Sequence, residues 1–413
     1  MSTRPILILA LLAVVGAFLW GCGGPTQKGI EARNRARARL NRVNAQLSYD
    51  QAMQAFEAGQ FEKAAHELSI AIRLHPEWAE YRVLEGRIYL ETHRLEKAIE
   101  SFKAALQLRP VYAEAHYYSG IVYQRWSDDA KAFDEYQAAH EADPESVGYL
   151  LAAAESMLAL GQFDAAERLV ESKLDYFEHN SAMRHLLAQI AMLQDDPATA
   201  VRLYDEARRL DPENGTLLDE LAQAQYAAGA YGDCYRSAKE LQETADADRP
   251  DLMLLEARCL AYMDRLPEAR SLYLALTGLR PTDPDVWIEL GGVAWELGDH
   301  HRMALCGARV TALAPDRYEG YMLKGINERH HGNLAEAAMF LREATERAGD
   351  APLPHLILGR VLEQGGDAQG ALDAYAEALR VQPDSADART LFAELSERLE
   401  LTVVEEPDWM RNE

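Results

Sequence analysis

Four cysteines and two histidine pairs are the residues of this 413-residue chain with the greatest chemical reach. Cys22 follows Leu19-Trp20-Gly21 at the end of an apolar run over 5–20. A thiol in that place is a candidate for covalent modification at a membrane surface. Cys234, Cys259 and Cys306 lie far downstream. A bridge between Cys234 and Cys259 requires Cα atoms within about 7 Å, which spacing alone does not decide, so a disulfide and two buried reduced thiols both stay open. His300-His301 and His330-His331 carry imidazole nitrogens. Neighbouring residues on a helix point about 100° apart, so neither pair is a metal site alone, and a metal would need both pairs together. The chain has no G-x-S-x-G, phosphate-binding loop, H-E-x-x-H or C-x-x-C. We therefore expect no catalysis, no cofactor and no metal.

Composition narrows the partners. The net charge is −25 and the apolar fraction 48%, the latter ordinary for a folded domain. So acidic a chain repels phosphate, which argues against nucleic acid. The acid is unevenly spread. Between 28 and 42 six basic residues (Lys28, Arg33, Arg35, Arg37, Arg39, Arg42) stand against Glu31 alone. Anionic lipid headgroups would attract such a segment, and a plain solubilising linker would also explain it.

These residues are positioned by a repeat. Over 79–110 the chain reads AEYRVLEGRIYLETHRLEKAIESFKAALQLRP, with small residues at Gly86, Ala98 and Ala105, rings at Tyr89 and Phe102, and Pro110 closing the unit. Small residues suit a close helix crossing, and proline ends a helix. Pro76, Pro110 and Pro144 recur every 34 residues, as do Ala52, Gly86, Gly120, Ala154, Ala188 and Ala222. Later units show Trp287-Ile288-Glu289-Leu290-Gly291, then Gly325, Ala337 and Ala344, then Leu358-Gly359, Ala371, Tyr375 and Pro383. The interval from Pro212 to Pro281 is one residue too long, and the extra residue falls near Asp246 and Pro250. This set resembles the tetratricopeptide repeat (TPR) family, a helix–turn–helix unit of about 34 residues. The resemblance implies an all-α, right-handed superhelical solenoid of about ten repeats closed by a terminal helix. Cys234 stands where the second helix of a repeat has its packing alanine, which favours a buried thiol there.

The expected organisation is a signal peptide at 1–21, a basic tether at 22–44, repeats one to six at 45–249, repeats seven to ten at 250–385, a capping helix at 386–401 and a disordered tail at 402–413. The signal peptide and Cys22 resemble a bacterial lipoprotein leader, which implies cleavage before Cys22 and lipid on its sulfur. Trp20 departs from the small residue usual there. An uncleaved anchor and a simple secretory signal are the other readings, and all three place the repeats outside the cytoplasm. Gly23 after the cysteine, rather than aspartate, points to the outer membrane. Nothing after repeat ten is left to build a catalytic domain.

The TPR resemblance implies a concave binding face lined by the second, fifth, ninth and twelfth residues of each first helix. The partner-binding candidates there are Tyr49, Met53, Phe56, Arg87, Tyr117, Ile121, Trp295, Met322, Arg329 and Arg360, with Val83, Leu90, Gln124, Ile288, Ile326 and Leu356 beside them. Aromatic residues, Met and Arg are the types that anchor protein interfaces. Few of them could hold a carboxylate by charge, so an extended apolar peptide or a helix is the expected ligand, and no small-molecule substrate is. The tail, with Trp409 and Pro407, is a second candidate occupant of the carboxy-terminal groove. The expected role is a lipid-tethered periplasmic scaffold assisting pilus, secretin or polysaccharide-export assembly; the alternative is a non-catalytic adaptor for cell-wall hydrolases or a glycan-processing enzyme.

The leader yields the first prediction. Mass spectrometry of the mature amino terminus should find a lipid-modified Cys22, and an intact Met1 or a free Cys22 thiol would remove the lipoprotein reading.

Overall fold

A computed structural model describes residues 26–244 and 249–399. The Cys22 leader, residues 245–248 of the expected joint, and the tail lie outside the described residues. Among the described residues every regular element is a helix. They form two compact units, one ending at Ile190 and the other beginning at Ala191.

The first unit runs through α1 (Gln27–Glu57), α2 (Phe61–Leu74), α3 (Ala79–Glu91), α4 (Leu95–Leu108), α5 (Ala113–Arg125), α6 (Asp129–Ala142), α7 (Val147–Ala159), α8 (Phe163–Leu174) and most of α9 (Ser181–Leu193). The second holds α10 (Pro197–Leu210), α11 (Gly215–Ala227), α12 (Tyr231–Thr244), α13 (Pro250–Tyr262), α14 (Leu266–Leu279), α15 (Pro284–Glu296), α16 (His300–Leu313), α17 (Tyr318–His330), α18 (Leu334–Arg347), α19 (Leu353–Gln364), α20 (Ala368–Val381) and α21 (Ala386–Arg398). In chain order this is ten helix–turn–helix repeats and a terminal helix.

The period is written into the backbone. Residues with φ between 54° and 83° include Gly59, His93, Ser127, Gly161, Asp195, Gly229, Asp264, Gly298, Gly332 and Gly366, one in each turn between a repeat's two helices. They recur every 34 residues except from Gly229 to Asp264, where the extra residue falls. Each lets the chain reverse in a left-handed cap. Gly59 N–H donates to the Phe56 carbonyl at 2.9 Å and Gln60 N–H to the Ala55 carbonyl at 2.8 Å, satisfying carbonyls that the helix end leaves free. His93 and Ser127 adopt the same conformation with the same bonds despite their Cβ atoms.

Within a repeat the helices meet where a small residue faces a ring sixteen positions later. A Cβ added at Gly86 would lie 2.3 Å from the Phe102 ring, one at Gly120 2.6 Å from Tyr136, and one at Gly359 2.3 Å from Tyr375. Phe102 and Tyr375 are fully buried. Burying such a ring contributes about 1.5–3 kcal/mol. The cores of the two units are chains of these contacts. Tyr81, Leu84 and Leu68 fill the beginning of the first unit, while Tyr273, Leu290, Leu323, Leu341 and Tyr375 run through the second. In α21, Leu395 joins that core and Ala388 packs with Ala378 and Leu379, while Arg389 bonds Asp384 and Arg398 bonds Glu363 of the preceding repeat.

One boundary differs from the expected organisation. The basic segment at 27–44 is helical, the amino-terminal part of α1, and continues without a break into repeat one. Thr26 caps it by accepting from Gly29 N–H at 3.2 Å, and no glycine or proline interrupts it after Gly29. Cys234 and Cys259 are free, fully buried thiols, the alternative the repeat pattern favoured, and the neighbouring Cys259, with burial, raises the Cys234 pKa.

Packing generates a paired prediction. Gly86→Ala should destabilise by about 1–2 kcal/mol, because ring overlap outweighs the gain in helix propensity. Gly292→Ala, where a Cβ meets nothing within 4 Å, should stabilise by up to about 1 kcal/mol. Equilibrium urea unfolding reads both, and a stabilised Gly86→Ala would disprove the close-crossing account.

Candidate partner-binding face

The predicted face is carried by the first helix of each repeat, and the two units treat it differently. In the first unit Tyr49, Met53 and Phe56 lie on α1, Arg87 on α3, and Tyr117 and Ile121 on α5, all half-buried. Arg87 is the junction. Its guanidinium stands 4.8 Å from the Phe56 ring centre and 5.0 Å from that of Tyr118, and 3.5 Å from Glu114 Oε1. A cation between two rings is held by their π faces while its other edge pairs with carboxylate. Tyr117 is central to a second group, with ring centres 5.4 Å from Tyr118, 5.7 Å from Tyr136 and 5.2 Å from Tyr149. Tyr49 packs 5.0 Å from Tyr81. Burial first, then the charge of Glu114, raises the phenol pKa of Tyr49 and of Tyr149, so both stay neutral donors. The result is a surface of rings crossed by one arginine, with Glu114 among them. Gln124 is exposed and accepts from Tyr136 Oη at 3.0 Å.

Two expected members are not on this surface. Val83 and Leu90 are only 2% and 3% exposed and belong to the core around Phe102. Each faces the neighbouring helix, which periodicity within one helix does not distinguish from facing a ligand.

In the second unit part of the apolar candidate groove is buried. Met322 and Ile326 are 8% and 7% exposed and join the core, so the assignment of Met322 as a partner contact is corrected. The adjacent repeats cover them. Arg329 donates from Nε to Gln364 Oε1 at 2.9 Å, and Arg360 is exposed. Trp295 is 37% exposed, Ile288 and Leu356 half-buried.

This unit also carries ion pairs between neighbouring repeats, as Arg87–Glu114 is in the first unit, and reading one repeat at a time misses them. Arg258 Nε lies 3.0 Å from both carboxylate oxygens of Glu289, which also accepts from Tyr273 Oη at 2.8 Å. Arg317 reaches Asp285 at 3.0 Å and Glu319 at 2.8 Å, Arg249 reaches Asp219 at 2.8 Å, and Arg398 pairs with Glu363. Aligning the charged positions of one repeat with those of its neighbours on both sides would have revealed the partners that lie between repeats.

Neither histidine pair forms a metal site. The His300 and His330 rings stack face to face, and His331 Nδ1 is 2.8 Å from the Asn327 carbonyl. Stacked rings aim their nitrogens in parallel rather than at one point. Among the described residues no group of three His, Cys, Asp or Glu could hold a metal ion. A cleft of 430 Å³ lined by Trp78, Glu80, Leu108 and Arg109 lies between the start of α3 and the end of α4 and includes none of the predicted contacts.

The family comparison agrees with this architecture. The tetratricopeptide repeat family model matches residues 49–113, 83–147, 151–215 and 355–411, together more than half of the chain. The chain belongs to the tetratricopeptide repeat family, whose members are generally non-catalytic scaffolds that bind protein partners. No curated protein matches the sequence. Among solved structures it is similar to Pseudomonas aeruginosa pilF, at 20% identity over 53% of this chain and 97% of that one, with a TM-score of 0.43. It is also similar to a Parabacteroides merdae tetratricopeptide repeat protein, at 15% identity over 60% and 98%, TM-score 0.44, and to yeast Tom70, at 14% identity over 86% and 89%, TM-score 0.44.

The first unit supplies a pH prediction. His116 Nδ1 lies 2.7 Å from Glu135 Oε2, and this hydrogen bond, opposed by burial, raises the imidazole pKa. A raised folded-state pKa means the pair's stabilisation is complete below the unfolded value of about 6.5 and is lost as pH rises through the folded value. The stability difference between wild type and Glu135→Gln should be largest near pH ~5.5 and shrink toward pH ~9. Urea unfolding across that range checks it; a difference that grows with pH would reverse the assignment.

Proposed function

We propose that this protein is a lipid-tethered periplasmic scaffold that holds an extended peptide or helix of a partner on the ring-and-arginine face of its first unit. The partner belongs to an envelope assembly or export machine building a pilus, a secretin or a polysaccharide exporter. The observation that carries the reading is the combination in one chain of an apolar run ending in Leu-Trp-Gly-Cys with a tetratricopeptide array. A folded interaction module joined to such a leader serves partners at a membrane surface. The half-buried Phe56, Arg87, Tyr117 and Tyr118 supply the contacts. They are pre-ordered by their own stacking, so a ligand loses little to side-chain ordering. A cell-wall hydrolase or a glycan-processing enzyme is the partner in the alternative reading.

Pulldown from detergent-solubilised envelopes with the wild type, Arg87→Ala and Tyr117→Ala tests this. The wild type should retain pilus, secretin or export subunits, and each variant should weaken retention by roughly tenfold or more while staying folded. Enrichment of wall hydrolases or glycan synthases instead would select the alternative. Unchanged retention by both variants would move the binding site elsewhere.

A further inference from the structure

The amino-terminal part of α1 is a surface that the proposed partner binding does not use. Before the helix enters repeat one at Ala45, its side chains are almost all exposed. Leu40, Val43 and Leu47 are 59%, 66% and 57% exposed. Spaced by three and four residues, they form one stripe along the helix. The core contacts of the same helix, Ala45, Ser48, Ala52 and Ala55, lie on another side. Arginines border the stripe: Arg33 and Arg37 on one edge, Arg39 on the other, at about 100° per residue. Arg35 reaches Glu31 at 4.0 Å, and Lys28, Arg33, Arg37, Arg39 and Arg42 have no ion pair among the described residues.

We infer that this part of α1 lies along an anionic phospholipid surface, with Leu40, Val43 and Leu47 at the level of the acyl chains and the arginines among the headgroups. An apolar stripe edged by unpaired cations is the pattern of a helix that rests in a membrane interface. Charge complementarity selects the surface: the segment is basic while the chain as a whole is at −25. Anionic lipid therefore attracts this helix and repels the repeats. The same charge opposes a pair of such helices from two copies, which would set six basic residues against six.

Chain length supports the placement. The lipid-bearing Cys22 of the proposed tether lies five residues before Gln27, where α1 begins, so a lipid held in the bilayer keeps the start of the helix within about 18 Å of the surface. A helix standing upright would raise Arg42 some 20 Å above Lys28, beyond a Debye length of about 8–10 Å. Lying down brings all six cations within reach. Since α1 runs unbroken to Glu57, a helix fixed on the membrane also fixes the orientation of the first repeat, and the binding face with it. The inference rests on the membrane-tethered reading only for delivery to the surface.

The test uses the full-length chain in vesicles of phosphatidylcholine, with or without phosphatidylglycerol. A benzophenone side chain is introduced as Val43→p-benzoylphenylalanine, and as a control Asn34→p-benzoylphenylalanine, which is about 180° round the helix. On illumination position 43 should crosslink to lipid several-fold more with phosphatidylglycerol than without, position 34 should crosslink weakly in both, and high salt or the combined Arg33→Gln, Arg37→Gln, Arg39→Gln and Arg42→Gln changes should abolish the difference. Equal crosslinking at 43 and 34, independence of lipid charge, or crosslinking of 43 to a second protein copy would each overturn the inference. Flotation with phosphatidylcholine vesicles alone reports the tether separately, so loss of flotation counts against the lipoprotein reading and not against the helix. Circular dichroism confirms that the variants keep the fold.

Discussion

The close approach of two helices within each repeat governs the rest of the structure. Where Gly86 faces Phe102, Gly120 faces Tyr136 and Gly359 faces Tyr375, there is no room for one methyl group. That contact sets how the second helix leans on the first, and therefore which residues of the first helix remain outside. The rings do more than fill space. Tyr136, Tyr273 and Tyr375 project their hydroxyls past the crossing to Gln124, Glu289 and Glu363 on first helices. Core packing and surface polarity are thus joined through single side chains.

The turn position shows how much local preference the packing overrides. Glycine adopts a left-handed conformation at little steric cost, and six of the repeats use it. His93, Ser127, Asp195 and Asp264 adopt it without that freedom. The reversal is set by helices on both sides, and the hydrogen bonds of the cap offset the local cost, about 1–2 kcal/mol for a residue with a Cβ. The single added residue between Gly229 and Asp264 leaves the turn on either side unchanged.

The acidic composition has a different meaning in different places. On the first-helix face of the second unit, Glu289, Asp285, Glu319 and Asp219 each lie against an arginine, so the face is less acidic than the net charge suggests. In the first unit Glu114 shares Arg87 with two rings. The two units therefore present distinct surfaces from the same repeat: aromatic in one, ion-paired in the other. A family of folds that reuses one backbone unit acquires specificity in this way, by what the variable positions carry.

The repeat and its ten-fold count were legible in the chain because small residues, rings and prolines must recur wherever the same helix crossing recurs. The terminal cap and the basic segment were legible too, since both are patterns within one helix. Membership of the binding face was legible only in part. Tyr49, Phe56, Arg87 and Tyr117 are accessible, whereas Met322, Val83 and Leu90 are not, although all occupy positions assigned to the same face. The reason is geometric. Helical periodicity states which residues share a side, but how far that side is covered depends on the neighbouring repeat, whose residues lie about 34 positions away. A comparable distance concealed the Arg258–Glu289 pair and the Cys234–Cys259 contact, whose partners only folding brought together, and only the packing of the first repeat decided that the stripe at Leu40, Val43 and Leu47 stays uncovered.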